Sequence, residues 1–209
     1  MIQGLIDAVK QANSAPQLVG AVRDLAAVED PAALPMLVEV LGYNNPGAAV
    51  AAVAGLVALG DRAVPFLLEN LDGYDYGARA WATRALAEIG DPRALDLLLA
   101  AAQGDFALSV RRAAAKGLGY LHWSKLGSAA VYPAQQRVFA ALVAVTQDPE
   151  WVVRYAAIAG LQALATAITA TASLKSQILG ELAAIATREE ERALRARAQW
   201  ACEQLNLTA

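Results

Sequence analysis

A leucine closes the same short phrase repeatedly along this chain, and the interval between those leucines constrains the fold more than any other feature. VRRAAAKGL at 110–118 returns as VRYAAIAGL at 153–161, with related text ending at Leu25, Leu56, Leu86 and Leu205. The steps between them are 31, 30, 32, 43 and 44 residues. Periods in this range belong to arrays whose repeat is one supersecondary unit, unable to bury its apolar face until a neighbour stacks on it.

The residues within one phrase identify the unit as a helix pair. Val110, Ala113, Ala114, Gly117, Leu118 and Leu121 fall on one helical stripe, and strand-type alternation is absent. Asp30-Pro31, Asp91-Pro92 and Asp148-Pro149 read as helix starts, because the carboxylate accepts from orphan N–H groups and proline brings a preset φ without removing a needed donor. Ser14 and Asp61 can cap in the same way, and Gly60 and Gly90 supply stops. The chain therefore reads as six helix pairs, at 1–28, 30–59, 61–89, 91–121, 132–165 and 173–206, in a single domain over 1–209. Small residues dominate the second helix of each pair, so the backbones can stack closely. Pro35 and Pro65 lie near the second turn of their first helices and are expected to bend them. The two long steps exceed the others by about a dozen residues each, which places insertions near 120–135 and 166–177. The first takes in GYLHWSKLG, with the chain's one histidine, His122. Long connections between packed helices tend to carry function.

Composition narrows the function classes. A formal charge of -3 and a pI near 5.2 give no positive field for a phosphate backbone, so no nucleic-acid partner is expected. The single cysteine, Cys202, cannot form an internal disulfide, which fits a reducing compartment. The opening MIQGLIDAVKQ lacks the pattern of a signal peptide. The longest apolar run, at 47–60, falls short of the roughly 20 residues that span a bilayer, so a cytoplasmic protein without membrane insertion is expected. One histidine and one cysteine offer no metal site, and no phosphate loop occurs. The basic residues of 188–197 alternate with Glu189, Glu190 and Glu191, as on a solvated helix face.

The pattern V-R-x-A-A-x-x-G/A-L followed by I-G-D-P-x-A-L resembles the HEAT-like repeat of phycobilisome lyases. DYGARAWATRALAEIGDPRALDLLL and DFALSVRRAAAKGLGYLHW resemble, more narrowly, the F-type subunits of heterodimeric phycocyanobilin lyases. The resemblance covers most of the chain and is strongest over 75–123. It implies an all-α fold, a right-handed α-α superhelix (α-solenoid) of about six HEAT-like pairs. It also implies a lyase subunit acting with an E-type partner subunit to attach phycocyanobilin, through a thioether, to a cysteine of the phycocyanin alpha subunit. No cofactor of the chain's own is implied, the pigment being substrate. Relatives that also isomerise the bilin carry a His-Cys pair in N-H-C-Q-G-N; here His122 is followed by Trp123, so attachment without isomerisation is expected.

Set against that implication, several residues have two readings. Arg79, Arg111 and Arg154 share one repeat position, and Asp105 and Asp148 each precede an arginine by six residues. They make either an internal ladder between units or a grip on bilin propionates. Arg84 and Arg112 lie outside the repeat pattern and are better candidates for the pigment. Tyr74 and Tyr76 flank Asp75 just before a second helix, where the carboxylate either accepts from pyrrole N–H groups between covering phenol rings or simply caps the helix. His122 is the candidate proton donor, and with Trp123 a candidate contact for bilin or partner. Trp151 and Tyr155 either join that surface or pack beneath the insertion. Trp81 and Trp200 read as core residues, and Cys202 as an inert buried thiol. The alternative to a lyase is a non-catalytic repeat scaffold or chaperone for phycobilisome proteins.

Overall fold

A computed structural model of the chain describes residues 2–70, 75–169 and 172–207. Among the described residues it contains twelve α-helices and no strands. They are α1 (Ile2–Gln11), α2 (Ala15–Ala27), α3 (Leu34–Leu41), α4 (Pro46–Leu59), α5 (Ala63–Glu69), α6 (Tyr76–Ile89), α7 (Leu95–Gly104), α8 (Leu108–Leu118), α9 (Ser128–Val145), α10 (Trp151–Ala167), α11 (Ala172–Arg188) and α12 (Arg192–Leu207). They form the six expected antiparallel-type pairs of an all-α repeat fold. Two compact units divide them at Ile89 and Gly90.

The starts follow the expected chemistry. Ser14, Asp30, Asn45 and Asp91 each accept a bond from a backbone N–H in the first turn of the helix they precede. Asp61 lies inside the short 3₁₀ turn Gly60–Arg62 instead. Pro35 and Pro65 fall within the first turn of α3 and α5, each just after a 3₁₀ turn. The change of pitch therefore occurs at the 3₁₀ junction, before the prolines, where a missing N–H costs nothing.

The stops recur at one position, four residues after the closing leucine. Glu29, Gly60 and Gly90 all have φ between 50 and 66° there. Glycine adopts this freely, whereas Glu29 does so against its Cβ. His122 occupies the same position in the fourth pair with φ −80°, and the chain runs on through a 3₁₀ turn, Trp123–Lys125, before α9 begins. The first insertion is thus spent largely on helix: α9 has 18 residues against 10 in α7. It starts at Ser128, not 132, with Pro133 inside it, and its opening residues 128–130, Tyr132 and Pro133 are exposed. Much of the second insertion likewise goes into α10 and α11, 17 residues each.

In the first unit the core is α2 on α4 on α6, with α3 and α5 behind. Gly55 of α4 meets Ala26 of α2 so closely that an added Cβ would lie 2.7 Å from the Ala26 Cβ. In the second unit α8, α10 and α12 stack in the same way. Gly160 of α10 faces the Ala115 carbonyl, where an added Cβ would lie at 2.5 Å, and Gly119 faces the Gly160 backbone. Leu25, Leu56, Leu86, Leu118 and Leu161 are all fully buried or nearly so. The apolar segment Pro46–Glu69 is not one continuous helix: it turns at Gly60, and half of its most apolar stretch is buried in the first unit.

Repeated arginines tie the interhelix turns of the second unit together. Arg111 Nη1 donates to the Asp105 and Phe106 carbonyls of its own turn. Its Nε and Nη2 donate to the Asp148 carboxylate at 2.7 and 3.1 Å. Arg154 repeats the arrangement, donating to the Asp148 and Pro149 carbonyls and to Glu189. Arg195 donates to the Glu189 and Glu190 carbonyls. Burial alone raises the Asp148 pKa, but the bonds from Arg111 and the Glu150 N–H outweigh it and hold the carboxyl below its usual range. Arg195 marks the true register of the last pair, since it stands seven residues before Cys202, as Arg111 and Arg154 stand seven before Leu118 and Leu161. Cys202, not Leu205, takes the closing-leucine position. Trp200 therefore aligns with exposed Lys116, and it is exposed rather than in the core.

Gly160→Ala should lower stability by about 1–3 kcal/mol, because backbone on the opposing helix cannot yield to the new methyl. Gly180→Ala, in α11 with nothing near its Cβ position, should raise it by about 0.5–1 kcal/mol. Urea unfolding of the two variants beside the wild type checks both signs.

Candidate functional site

The stretch Gly119 to Gly127 is built onto the preceding interhelix corner. The His122 N–H donates to the Gly90 carbonyl at 2.7 Å. An added Cβ on Gly90 would lie 2.7 Å from the Tyr120 carbonyl and 3.4 Å from the imidazole edge of His122. The corner thus needs glycine twice, for its positive φ and for the strand of chain lying over it. Asp91 fixes the other side: it accepts from Arg93 Nε and Nη2 and lies 3.6 Å from Lys125 Nζ. Those bonds from Arg93, helped by Lys125, outweigh burial and pull its pKa from 3.8 to about 2.

This corner separates the two halves of the His122-Trp123 pair. His122 is solvent-facing, while Trp123 is buried, 8% exposed, with no partner for its indole N–H among the described residues. Trp123 is therefore a packing residue and not an open contact surface. Trp151 and Tyr155 are both exposed, so neither packs beneath the insertion. Arg112 is exposed on α8, at the repeat position that Tyr155 fills on α10.

Sequence reasoning named Tyr155 but missed the cluster it belongs to. Arg197 of α12 lies over the rings of Trp200 and Tyr155, 4.7 and 5.7 Å from their centroids. Its Nη2 donates to Gln162 Oε1 at 2.7 Å. Tyr120, Tyr155 and Trp200 are 53%, 40% and 49% exposed. The available signal was the register: counted from Arg195, Arg197 falls where the two preceding units have Ala113 and Ala156.

In the first unit, Asp75 is a helix cap, its Oδ1 accepting from the Ala78 N–H at 2.9 Å. It also lines a cleft of about 410 Å³ with Pro35, Glu39, Gly42, Phe66 and Arg79. Tyr76 opens α6, with its side chain outside the described residues, as is the whole of Tyr74. Arg84 is exposed, donates to Glu88 at 2.7 Å and lies 5.6 Å from the centroid of the half-buried Trp81 ring. Half-buried Cys202 has its thiol pKa pushed up by burial and by Glu203, so it holds its proton and is a poor nucleophile.

Stacked helix pairs with glycine contacts and arginine-tied turns define a HEAT-repeat protein, and the family profile for HEAT repeats matches residues 49–119 and 64–162. The phycocyanin alpha phycocyanobilin lyase CpcF of Synechocystis sp. is 63% identical over 164 residues, covering 78% of this chain and 77% of that one. A phycocyanobilin lyase subunit beta of Nostoc sp. is 49% identical over 94% of this chain and 96% of its own. Among solved structures, the complex of CpcE and CpcF of phycocyanin lyase from Nostoc sp. PCC7120 contains a chain matched at TM-score 0.78 and 50% identity, over 82% of this chain and 99% of that one. The chain belongs to the family of these F-type phycocyanobilin lyase subunits.

A carboxyl whose folded pKa is depressed adds stability above its unfolded pKa and loses it as pH falls through the folded value. Asp91→Asn should therefore cost about 2 kcal/mol at neutral pH, and the gap from wild type should close between pH 4 and 2. Thermal unfolding across that range measures it.

Proposed function

We propose that this chain is one subunit of a phycocyanobilin lyase that works with an E-type subunit to attach the bilin to a cysteine of phycocyanin alpha. The thiol S–H adds across a carbon–carbon double bond of the pigment: a C–S bond forms, the displaced π pair takes up a proton, and nothing leaves. The acceptor cysteine brings the nucleophile, so this chain has only to hold the pigment, exclude water and favour the protonated conjugated system. That division suits a chain whose own thiol is pushed toward its protonated form. The observation that carries the reading is the match to one chain of a solved two-subunit lyase over nearly all of that chain's length.

In this reading the solvent-facing members of the candidate set, His122, Arg112, Trp151 and Tyr155, contact bilin or partner. His122 is better placed as a contact than as an acid, since its imidazole edge lies against Gly90. Asp75, Tyr76, Tyr74 and Arg84 belong to the same reading for the first unit. The reaction takes place in the cytoplasm, with the pigment as substrate and no resident cofactor.

Co-expression with an E-type subunit, a bilin source and phycocyanin alpha should give a covalent adduct visible by zinc-enhanced fluorescence on a denaturing gel. Omitting this chain should abolish it; an adduct that forms equally without the chain would reduce it to a scaffold. His122→Ala should leave the shape of the attachment pH profile unchanged, and loss of one limb of that profile would restore His122 as an acid.

A further inference from the structure

Among the described arginines of the second unit's stacked helices, Arg197 is the one half-buried against aromatic rings. Arg111, Arg154 and Arg195 are occupied by turn carbonyls, and the first two also by acids. Arg197 stands where the two preceding pairs have alanine, and its guanidinium is partly drawn out of water by the Trp200 and Tyr155 rings. Burial pulls its pKa below the ordinary value, against a weaker opposing influence from Tyr155 and Tyr120. Its hydrogen bonds go to neutral groups, the Gln162 amide at 2.7 Å and the Tyr155 side chain, and Nη1 has no hydrogen-bond partner among the described residues. No carboxylate among the described residues pairs with it. A guanidinium stays charged in a protein, so a half-desolvated one with no acid beside it calls for an anion. The exposed faces of Tyr155 and Trp200 beside it call for a flat conjugated body.

We propose that Arg197 seats a carboxylate of the bilin, with Tyr155 and Trp200 against its conjugated plane. This rests on the lyase reading above and adds the residue that recognises the substrate's acid groups. Arg197 is a binding and positioning residue, and the carboxylate it seats takes no part in bond making. The carboxylate supplies the counter-charge that the guanidinium lacks, and the ring faces orient the pigment relative to that anchor.

The test uses the purified complex with the E-type subunit and compares phycocyanobilin as the free diacid and as its dimethyl ester by absorbance titration. Wild type should bind the diacid at least about tenfold tighter than the ester, the worth of one charge-assisted pair. In Arg197→Gln, and in Arg197→Met, which keeps the packing between the rings, that preference should vanish while ester affinity is retained. Arg197→Lys should keep part of it. Equal binding of acid and ester by wild type, or undiminished preference in both variants, overturns the assignment and leaves the lyase reading intact. So does a variant that loses the E-type subunit on purification while its acid preference survives, which would assign Arg197 to a carboxylate of the partner. A wild-type complex that binds neither pigment overturns the lyase reading and this proposal together.

Discussion

The distance between the second helices governs everything else in this structure. Gly55 against Ala26, and Gly160 against Ala115 and Gly119, leave room for no side chain at the crossing points. With helix axes brought to the close end of their usual 8–10 Å separation, successive interhelix turns come within reach of one arginine side chain. That is why Arg111 can hold its own turn's carbonyls and the next turn's Asp148 at the same time. The polar ladder is thus a consequence of the apolar contact. Asp148 in turn is both helix-turn cap and ion-pair acceptor, so one side chain couples local helix geometry to stacking.

Much of this was legible because the repeat carries its chemistry at fixed offsets. The six pairs, the Asp-Pro starts at Asp30 and Asp91, the glycine stops and the Arg-to-Asp spacing all follow from residues whose roles are local, while Asp148-Pro149 lies in the turn before α10. What escaped had no local signal. Helix α9 begins after Gly127, which makes no side-chain capping bond, so the sequence reading starts the fifth pair at 132 when the helix already begins at Ser128. The last pair was set three residues out of register because a cysteine stands where leucine usually closes the phrase. That slip put Trp200 in the core and hid Arg195 and Arg197 among the charges of a solvated face. His122 and Trp123 are neighbours in sequence, and only the fold over Gly90 could show that one faces water and the other does not.

The chemistry available to the chain is sparse, and the ladder makes it sparser by occupying cationic side chains that would otherwise bind a dianionic pigment. A protein of this construction contributes through placement of surfaces. On the proposal made for Arg197, the difference between an enzyme subunit and an inert scaffold comes down to a few side chains that depart from the repeat. Such departures from the repeat are easier to find once the register is right, since each is a residue the array did not require.

His122 sits where three earlier pairs bend the chain through a left-handed residue, and it does not bend that way. At 1.5 Å per residue, α9 is about 27 Å long where α7 is about 15 Å, and the exposed start of α9 rises past the part of the unit that needs filling. Substitutions on this uncovered ledge would leave the buried array untouched. Contacts made there can change with a partner or a pigment without disturbing the packing of the repeats beneath.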